Sequence, residues 1–318
     1  MKEDELKRIQ ILADKYPFKL DHFYKKLGID EKTISDYYIK SMLEDLNSGI
    51  CVILNGPGEV VSGFSVYTKS QFDTEILGLE TARIKYLISS QNDGAEIKNV
   101  VVQTIDSFKK NGIQFATYRF NALDATVSKA LTDYGFVRVD DYIILTRETK
   151  KTFLGFPHPE GIKVRQAEEK DVEILQDNHA HTFTYSRFFN DPALSHEVAT
   201  KMHRVWIANS FAKKVADEVF VAVDGNDYPI GFITLQEKQL YGKTFGHVPL
   251  IAIKVEFSGK KVGRLLMEKS FKWFMERGIN YILIETQGSN ISALRSYSHM
   301  GFEEIGMGVT YSWFNKKS

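Results

Sequence analysis

Apolar residues recur along this chain with two different periods, and the order in which those periods alternate is its first informative feature. In 262–277 the positions Val262, Leu265, Leu266, Trp273 and Phe274 return at spacings of three and four. That is the period of a helix burying one face, and Gly278 follows where such a helix would end. Upstream, 218–223 and 230–237 read as two strands joined by the hairpin signal Asp224-Gly225-Asn226-Asp227, with a longer strand expected over 248–255. Downstream come a strand over 281–286 and a short helix over 291–300, with Ser289 or Asn290 as N-cap and Gly301 just beyond it. Strands near 302–305 and 309–314 finish the chain, while a strand over 162–165, a helix opened by 168–171 and an amphipathic helix over 197–211 start this half. A helix between two strands that should run parallel, with an antiparallel hairpin before them, predicts a mixed α/β domain.

The first half closes on the same grammar. Gly112 and Gly278 lie 278 − 112 = 166 positions apart, and at that offset Phe108 matches Phe274, Ile113 matches Ile279, Gly135 matches Gly301 and Phe136 matches Phe302. A helix over 96–110, a strand over 114–120 and a helix over 124–134 therefore read as a second copy of one unit. With 318 residues two domains are expected, and the Pro- and Gly-containing run KKTFLGFPHPEG at 150–161 places the boundary. The expected division is a first domain over 1–150, a linker over 151–160 and a second domain over 161–318.

Composition removes several classes of function. A formal net charge of +0 and a pI of about 7.1 favour neither nucleic acid nor an anionic membrane as partner. No run approaches the roughly 20 apolar residues of a spanning helix, and MKEDELKRIQ is charged where a signal peptide turns apolar, so a cytoplasmic protein is expected. The single cysteine, Cys51, sits in an apolar run and reads as a buried structural thiol. His179 and His181 resemble a metal pair, but residues two apart on a helix face different ways, so no metal is predicted.

The block Glu285-Thr286-Gln287, Asn290, Ala293, Tyr297 and Gly301-Phe302, following the strand and helix over 248–277, resembles the GNAT acetyltransferase superfamily through the spacing N-x-x-A-x-x-x-Y-x-x-x-G-F. The stretches 186–192 (SRFFNDP) and 206–210 (WIANS) look like its sugar-nucleotide branch, typified by dTDP-fucosamine acetyltransferase, and 72–84 resembles that branch's N-terminal domain. The resemblance implies a GNAT fold in the second half, with a related but degenerate copy in the first. It also implies acetyl-CoA as cofactor, a small-molecule amine as acceptor and a homodimer as a further expectation. One departure stands out: the family's pyrophosphate loop, Q/R-x-x-G-x-G/A, here reads Ser258-Gly259-Lys260-Lys261-Val262-Gly263, and only Gly263 fits. In the first half the corresponding loop, 92–97, is acidic, and Leu131 stands where the second half has Tyr297.

The resemblance assigns roles residue by residue. Backbone of the fourth strand, with Ile253, Lys254 and Val255, would pair the pantetheine arm, and Ser258, Gly259, Lys260, Lys261, Val262, Gly263 and Arg264 would cradle the phosphates. Asn290 and Ala293 would border the arm, although capping explains Asn290 equally well. Tyr297 would be the acid, since a phenol stays protonated at neutral pH, and Glu256 and Glu285 are the candidate bases. Arg187, Asp191, Trp206 and Gln287 would face the acceptor, with core packing an equal reading for Trp206. The leading function is N-acetylation of a small amine, such as an amino sugar carried on a nucleotide. The competing functions are a non-catalytic acyl-CoA-binding module and an acetyltransferase acting on a polyamine or a protein amine.

Overall fold

A computed structural model describes residues 1–90, 94–151 and 157–315. In chain order the elements are α1 (Glu3–Lys15), α2 (Glu31–Ser48), β1 (Ile50–Asn55), β2 (Val61–Lys69), α3 (Gln71–Leu77), β3 (Thr81–Ser89), α4 (Gly94–Lys110), β4 (Phe115–Asn121), α5 (Ala125–Asp133) and β5 (Val137–Glu148). The second half continues with β6 (Lys163–Gln166), α6 (Asp171–His179), α7 (Arg187–Asn190), α8 (His196–Phe211), β7 (Glu218–Val223), β8 (Pro229–Leu240), β9 (Lys243–His247) and β10 (Ile251–Ile253). It ends with α9 (Val262–Glu276), β11 (Tyr281–Gln287), α10 (Ile291–His299) and β12 (Glu303–Phe314).

The internal repeat is visible in the element bounds. β4 and β11, α5 and α10, and β5 and β12 begin and end at positions offset by 281 − 115 = 166 residues. What the repeat did not announce is where the last strand of each copy goes. The chain forms two compact units: Met1–Tyr142 with Gly306–Ser318, and Ile143–Ile305. The first unit orders its strands β1-β2-β3-β4-β12, with Val309 opposite Phe120 and Trp313 opposite Ala116 in an antiparallel ladder. The second orders them β5-β11-β9-β8-β7-β6, with β10 on β8. Each unit is thus finished by the final strand of the other half of the sequence. A single cut at 151–160 does not reproduce this division, and 152–156 of that segment lie outside the described residues.

Each unit buries both faces of its sheet. In the first, α4 and α5 cover a cluster that includes Tyr67, Phe108, Phe120 and Trp313, while α1 and α2 cover Phe64, Val66 and Tyr86. Cys51 in β1 packs at the margin of the latter, and burial pushes its thiol up to about 11. In the second unit, α9 and α10 cover Ile233, Ile284 and Phe302, and α6 and α8 cover Val221, Phe232 and Leu250. A partly buried bidentate pair, Arg165 Nη1 and Nη2 donating to Asp171 at 2.7 and 2.9 Å, ties β6 to the start of α6.

Two strand expectations are corrected. Of the strand expected over 248–255 only 251–253 is a strand, β10; it is preceded by the unexpected β9, and between the two lies Pro249, which has no N–H to give the ladder. Tyr241 and Gly242 both have positive φ (54° and 70°) and form the two-residue turn of a β8–β9 hairpin that the sequence reading missed. Conversely, the two strands at 302–305 and 309–314 are one, β12. Gly306 and Gly308, between the two expected strands, lie in the continuous strand beneath two rings. A Cβ there would lie 2.1 Å from Phe23 and 2.2 Å from the Tyr142 ring.

Candidate active site

The second unit contains a strand pair that opens like a V. β11 runs parallel to β9 with Ile282 opposite Gly246 and Leu283 opposite His247, and the Val248 N–H still donates to the Leu283 carbonyl at 3.2 Å. Beyond Pro249 the chain turns away and β10 pairs only with β8, Ala252 opposite Phe232. The Thr234 N–H donates to the Leu250 carbonyl at 2.9 Å and the Lys254 N–H to the Ile230 carbonyl at 2.8 Å, so the even positions 250, 252 and 254 spend their backbone on β8. Antiparallel alternation then aims the N–H and C=O of Ile251 and Ile253 away from β8, toward the opening. Side chains divide the other way: Leu250 and Ala252 pack with α6 and α8, and Ile251 and Ile253 with α9 and α10. β10 therefore presents backbone to the gap and separates two chemically distinct faces.

On the α9 face the opening is bordered by the loop at 258–263. Gly259 and Lys261 both adopt left-handed conformations (φ 75° and 64°), and α9 begins at Val262. The N–H groups of Val262, Gly263 and Arg264 precede the first intrahelical bond, made by Leu265 to the Lys261 carbonyl at 3.1 Å. Gly263 holds α9 close to β10, because a Cβ there would lie 3.1 Å from Ile253 Cδ1. Lys260 lies over the Phe257 ring at 4.8 Å. These donors at a helix N-terminus beside basic side chains fit the phosphates of a coenzyme A.

Tyr297 projects from α10 into the same cluster as Val262 and Leu266, edge-on to Phe302 at 5.8 Å. Only 6% of it is exposed, its hydroxyl has no hydrogen-bond partner among the described residues, and burial pushes its pKa up to about 12. The hydroxyl is thus free to donate a hydrogen bond, and the sulfur end of a pantetheine arm would suit it. Asn290 caps α10, its side chain accepting from the Ala293 N–H at 3.2 Å, and Ala293 packs against the cluster. The structure thus brings Ile253, the 258–264 loop, Ala293 and Tyr297 together.

Other candidates fall elsewhere. Lys254 follows β10, and Val255 and Glu256 lie on a helical turn past it rather than on a strand. Val255 is 71% exposed, and Glu256 faces solvent 3.9 Å from Lys254. Glu285 is an exposed position of β11, and Gln287 ends that strand, its carbonyl accepting from Asn290. Arg187 opens α7 over the Phe188 ring at 4.2 Å, and Asp191 is buried, accepting from the Ala193 N–H. Trp206 packs against the cluster under α6 and α8. Those three stand on the α6/α8 face, opposite Tyr297.

His179 is the residue whose environment the sequence did not reveal. It is the last residue of α6, so His181 lies beyond the helix and the two do not share one. Its ring is fully buried, 5.6 Å from Phe232, and neither ring nitrogen has a hydrogen-bond partner among the described residues. Burial, then the neighbouring His181 and Lys254, lower its pKa to about 4. Only its tertiary position makes it unusual, and no local pattern signals that. Among the described residues no group of three or more His, Cys, Asp or Glu is placed to hold a metal, and no helix is long and apolar enough to cross a membrane.

Comparison with known proteins agrees with this geometry. Residues 181–302 match the acetyltransferase (GNAT) family. A mycothiol acetyltransferase of Rhodococcus jostii is 26% identical over 160 residues, 49% of this chain and 50% of its own length. The spore coat polysaccharide biosynthesis protein SpsD of Bacillus subtilis is 26% identical over 144 residues, 45% of this chain and 48% of its own. The chain thus spans half or less of these curated relatives. A solved GCN5-related N-acetyltransferase from Sphaerobacter thermophilus superposes with a TM-score of 0.63 at 13% identity, covering 98% of this chain and 92% of its own. The chain has the GNAT fold, and its segment 181–302 carries the sequence features of the acetyltransferase (GNAT) family.

Proposed function

We propose that the second unit transfers an acetyl group from acetyl-CoA to a primary amine of a small molecule, and that an amino sugar on a nucleotide is the acceptor to test first. The observation that carries this reading is the opening between β10 and β11, with unspent backbone of Ile251 and Ile253 on one side and the unpaired Tyr297 hydroxyl nearby. Support for the acceptor class comes from the resemblance of 186–192 and 206–210 to the sugar-nucleotide branch, and from the name of the spore coat polysaccharide relative.

Acetyl-CoA, when bound, supplies the thioester and its leaving group. The chain's own contributions are three. Backbone N–H groups of β10 polarise the carbonyl without reorganising. The 258–264 loop and Asn290 hold the cofactor's length. Tyr297 donates a hydrogen bond to sulfur as negative charge develops there. With a pKa near 12, complete proton transfer to a thiolate of ordinary pKa near 8.5 is uphill by about 5 kcal/mol, so Tyr297 works chiefly as a donor and the net proton comes from the acylated amine. His179 is too weak a base to take a proton from an ammonium, because its pKa near 4 makes that step steeply uphill. Glu256 and Glu285, which face solvent, remain the proposed exit for the amine proton, through water.

Thiol release from acetyl-CoA, measured with nucleotide-linked and free amino sugars, a polyamine and a peptide amine, tests the reading. Turnover with an amino sugar at least about tenfold above the other amines is expected. Acetyl-CoA binding without turnover on any amine would favour the binding-module alternative.

A further inference from the structure

The first unit repeats the opening strand pair. β3 runs parallel to β4 only from Thr81 opposite Phe115 to Ile84 opposite Tyr118, after which the strands part. At that point lies a cavity of about 230 Å³. Its walls come from the turn after α1 (Tyr16 to Asp21), one face of α2 (Tyr38, Ser41 and Asp45), β3 (Lys85 and Tyr86) and β4 (Tyr118 to Phe120). It is as large as seven or eight water molecules, roughly the size of a small metabolite. Nothing in the acetyl-transfer chemistry of the second unit uses it.

Lys19 makes the cavity chemically specific. Its side chain lines the cavity, is 2% exposed, and donates to the carbonyls of Asp14 at 2.5 Å and Tyr16 at 2.8 Å. An ammonium has three protons, and among the described residues no further acceptor and no carboxylate within ion-pair distance engages the third. Capping the end of α1 would be served equally by an exposed lysine. Asp14, Glu31 and Asp21 act favourably on this ammonium at longer range, yet burial outweighs them and lowers its pKa, so an anion reaching its third proton would complete what they leave partial. The Tyr38 ring lies 5.3 Å from this ammonium, and its hydroxyl also has no partner among the described residues. Across the cavity Lys85 is already engaged, 3.4 Å from Asp45. The two aspartates in the wall, Asp21 and Asp45, oppose a multiply charged anion such as phosphate.

We propose that this cavity is a ligand site of the first unit and that it takes a small organic carboxylate, whose anionic end completes the coordination of the Lys19 ammonium beside the Tyr38 hydroxyl. The proposal is independent of acetyl transfer. The parted strands of the first unit have kept a place for a small molecule, while the acidic residues at 92–97 and Leu131 leave it without the loop and phenol of the second.

Calorimetric titration of the full chain with lactate, shikimate and 4-hydroxybenzoate, beside 4-hydroxybenzamide and inorganic phosphate, tests it. At least one of the three carboxylates should bind with a Kd near or below roughly 1 mM. The amide should bind at least about tenfold more weakly than its acid, and Lys19→Met should weaken the carboxylate by a similar factor. Tyr38→Phe, which removes one hydroxyl, should weaken it severalfold and serves where Lys19→Met fails to fold. Absence of binding by all three acids, equal binding of acid and amide, phosphate binding as tightly as the acids, or unaltered affinity in both variants would overturn the proposal.

Discussion

The hydroxyl of Tyr297 touches no acceptor among the described residues, so its removal should be silent in stability and loud in rate. Tyr297→Phe is expected to leave the melting temperature within about 2 °C while kcat falls roughly 100-fold or more, read by thiol release. His179 makes the opposite kind of prediction. Its folded pKa lies below that of the unfolded chain, so its contribution is complete above pH 6.5 and is lost as pH falls toward 4, by at most about 3 kcal/mol. His203, lowered to about 4 by burial among Phe183, Phe188 and Phe189, acts in the same window. His179→Leu should stabilise the protein at pH 7.5 by about 1–2 kcal/mol, since two orphaned nitrogens disappear, and should shift acid unfolding to lower pH when followed by tryptophan fluorescence. An unchanged acid midpoint would remove His179 as a contributor. The sequence made Tyr297 legible because it stands in a motif of fixed spacing. His179 has no such context, and the cost of its burial is a property of what α6 packs against.

At the scale of elements, the loop at 258–263 departs from the GNAT pyrophosphate-loop pattern yet makes a left-handed turn ahead of α9. Lys261 occupies the position where the family has glycine, and it holds the left-handed conformation that glycine adopts freely. Maintaining that in a residue with a Cβ costs about 1 kcal/mol. Lys261→Gly should therefore preserve the fold and, if backbone approach outweighs the lost charge, tighten acetyl-CoA severalfold in calorimetric titration. Weaker binding would mean that the Lys261 ammonium holds the phosphates. Helices and their ends were readable from spacing and caps, as in α9 and α10, because a helix is decided by neighbours three and four residues away. The strands were harder. Gly306 and Gly308, between the two expected strands, serve rings brought from Phe23 and Tyr142, while Pro249, which keeps β9 and β10 apart, lay inside the strand expected over 248–255.

The whole molecule is two copies of one unit whose final strands have changed places, and this could not be read from the repeat. The strand sequences are the same whichever sheet receives them, so periodicity is blind to the exchange. The exchange predicts how the chain can be divided. Residues 1–142 alone should aggregate, because β4 is left with an open, apolar edge, whereas the same segment joined through a flexible linker to 304–315 should be monomeric by size-exclusion chromatography. A folded, monomeric 1–142 would show that β12 is dispensable to the first unit.

The strand that completes the first unit is synthesised long after the strand it pairs with. At about 5–20 residues per second, the interval between the synthesis of β4 and that of β12 is roughly 10–40 s. During that time the first half has no native partner for the β4 edge, which pairs with Gly308 to Phe314 in the finished protein. Of the strands made earlier, β5 is closest in pattern to the missing one. The nascent chain therefore has a ready opportunity to place β5 beside β4, as a self-contained copy would, and must later release it to reach the exchanged arrangement.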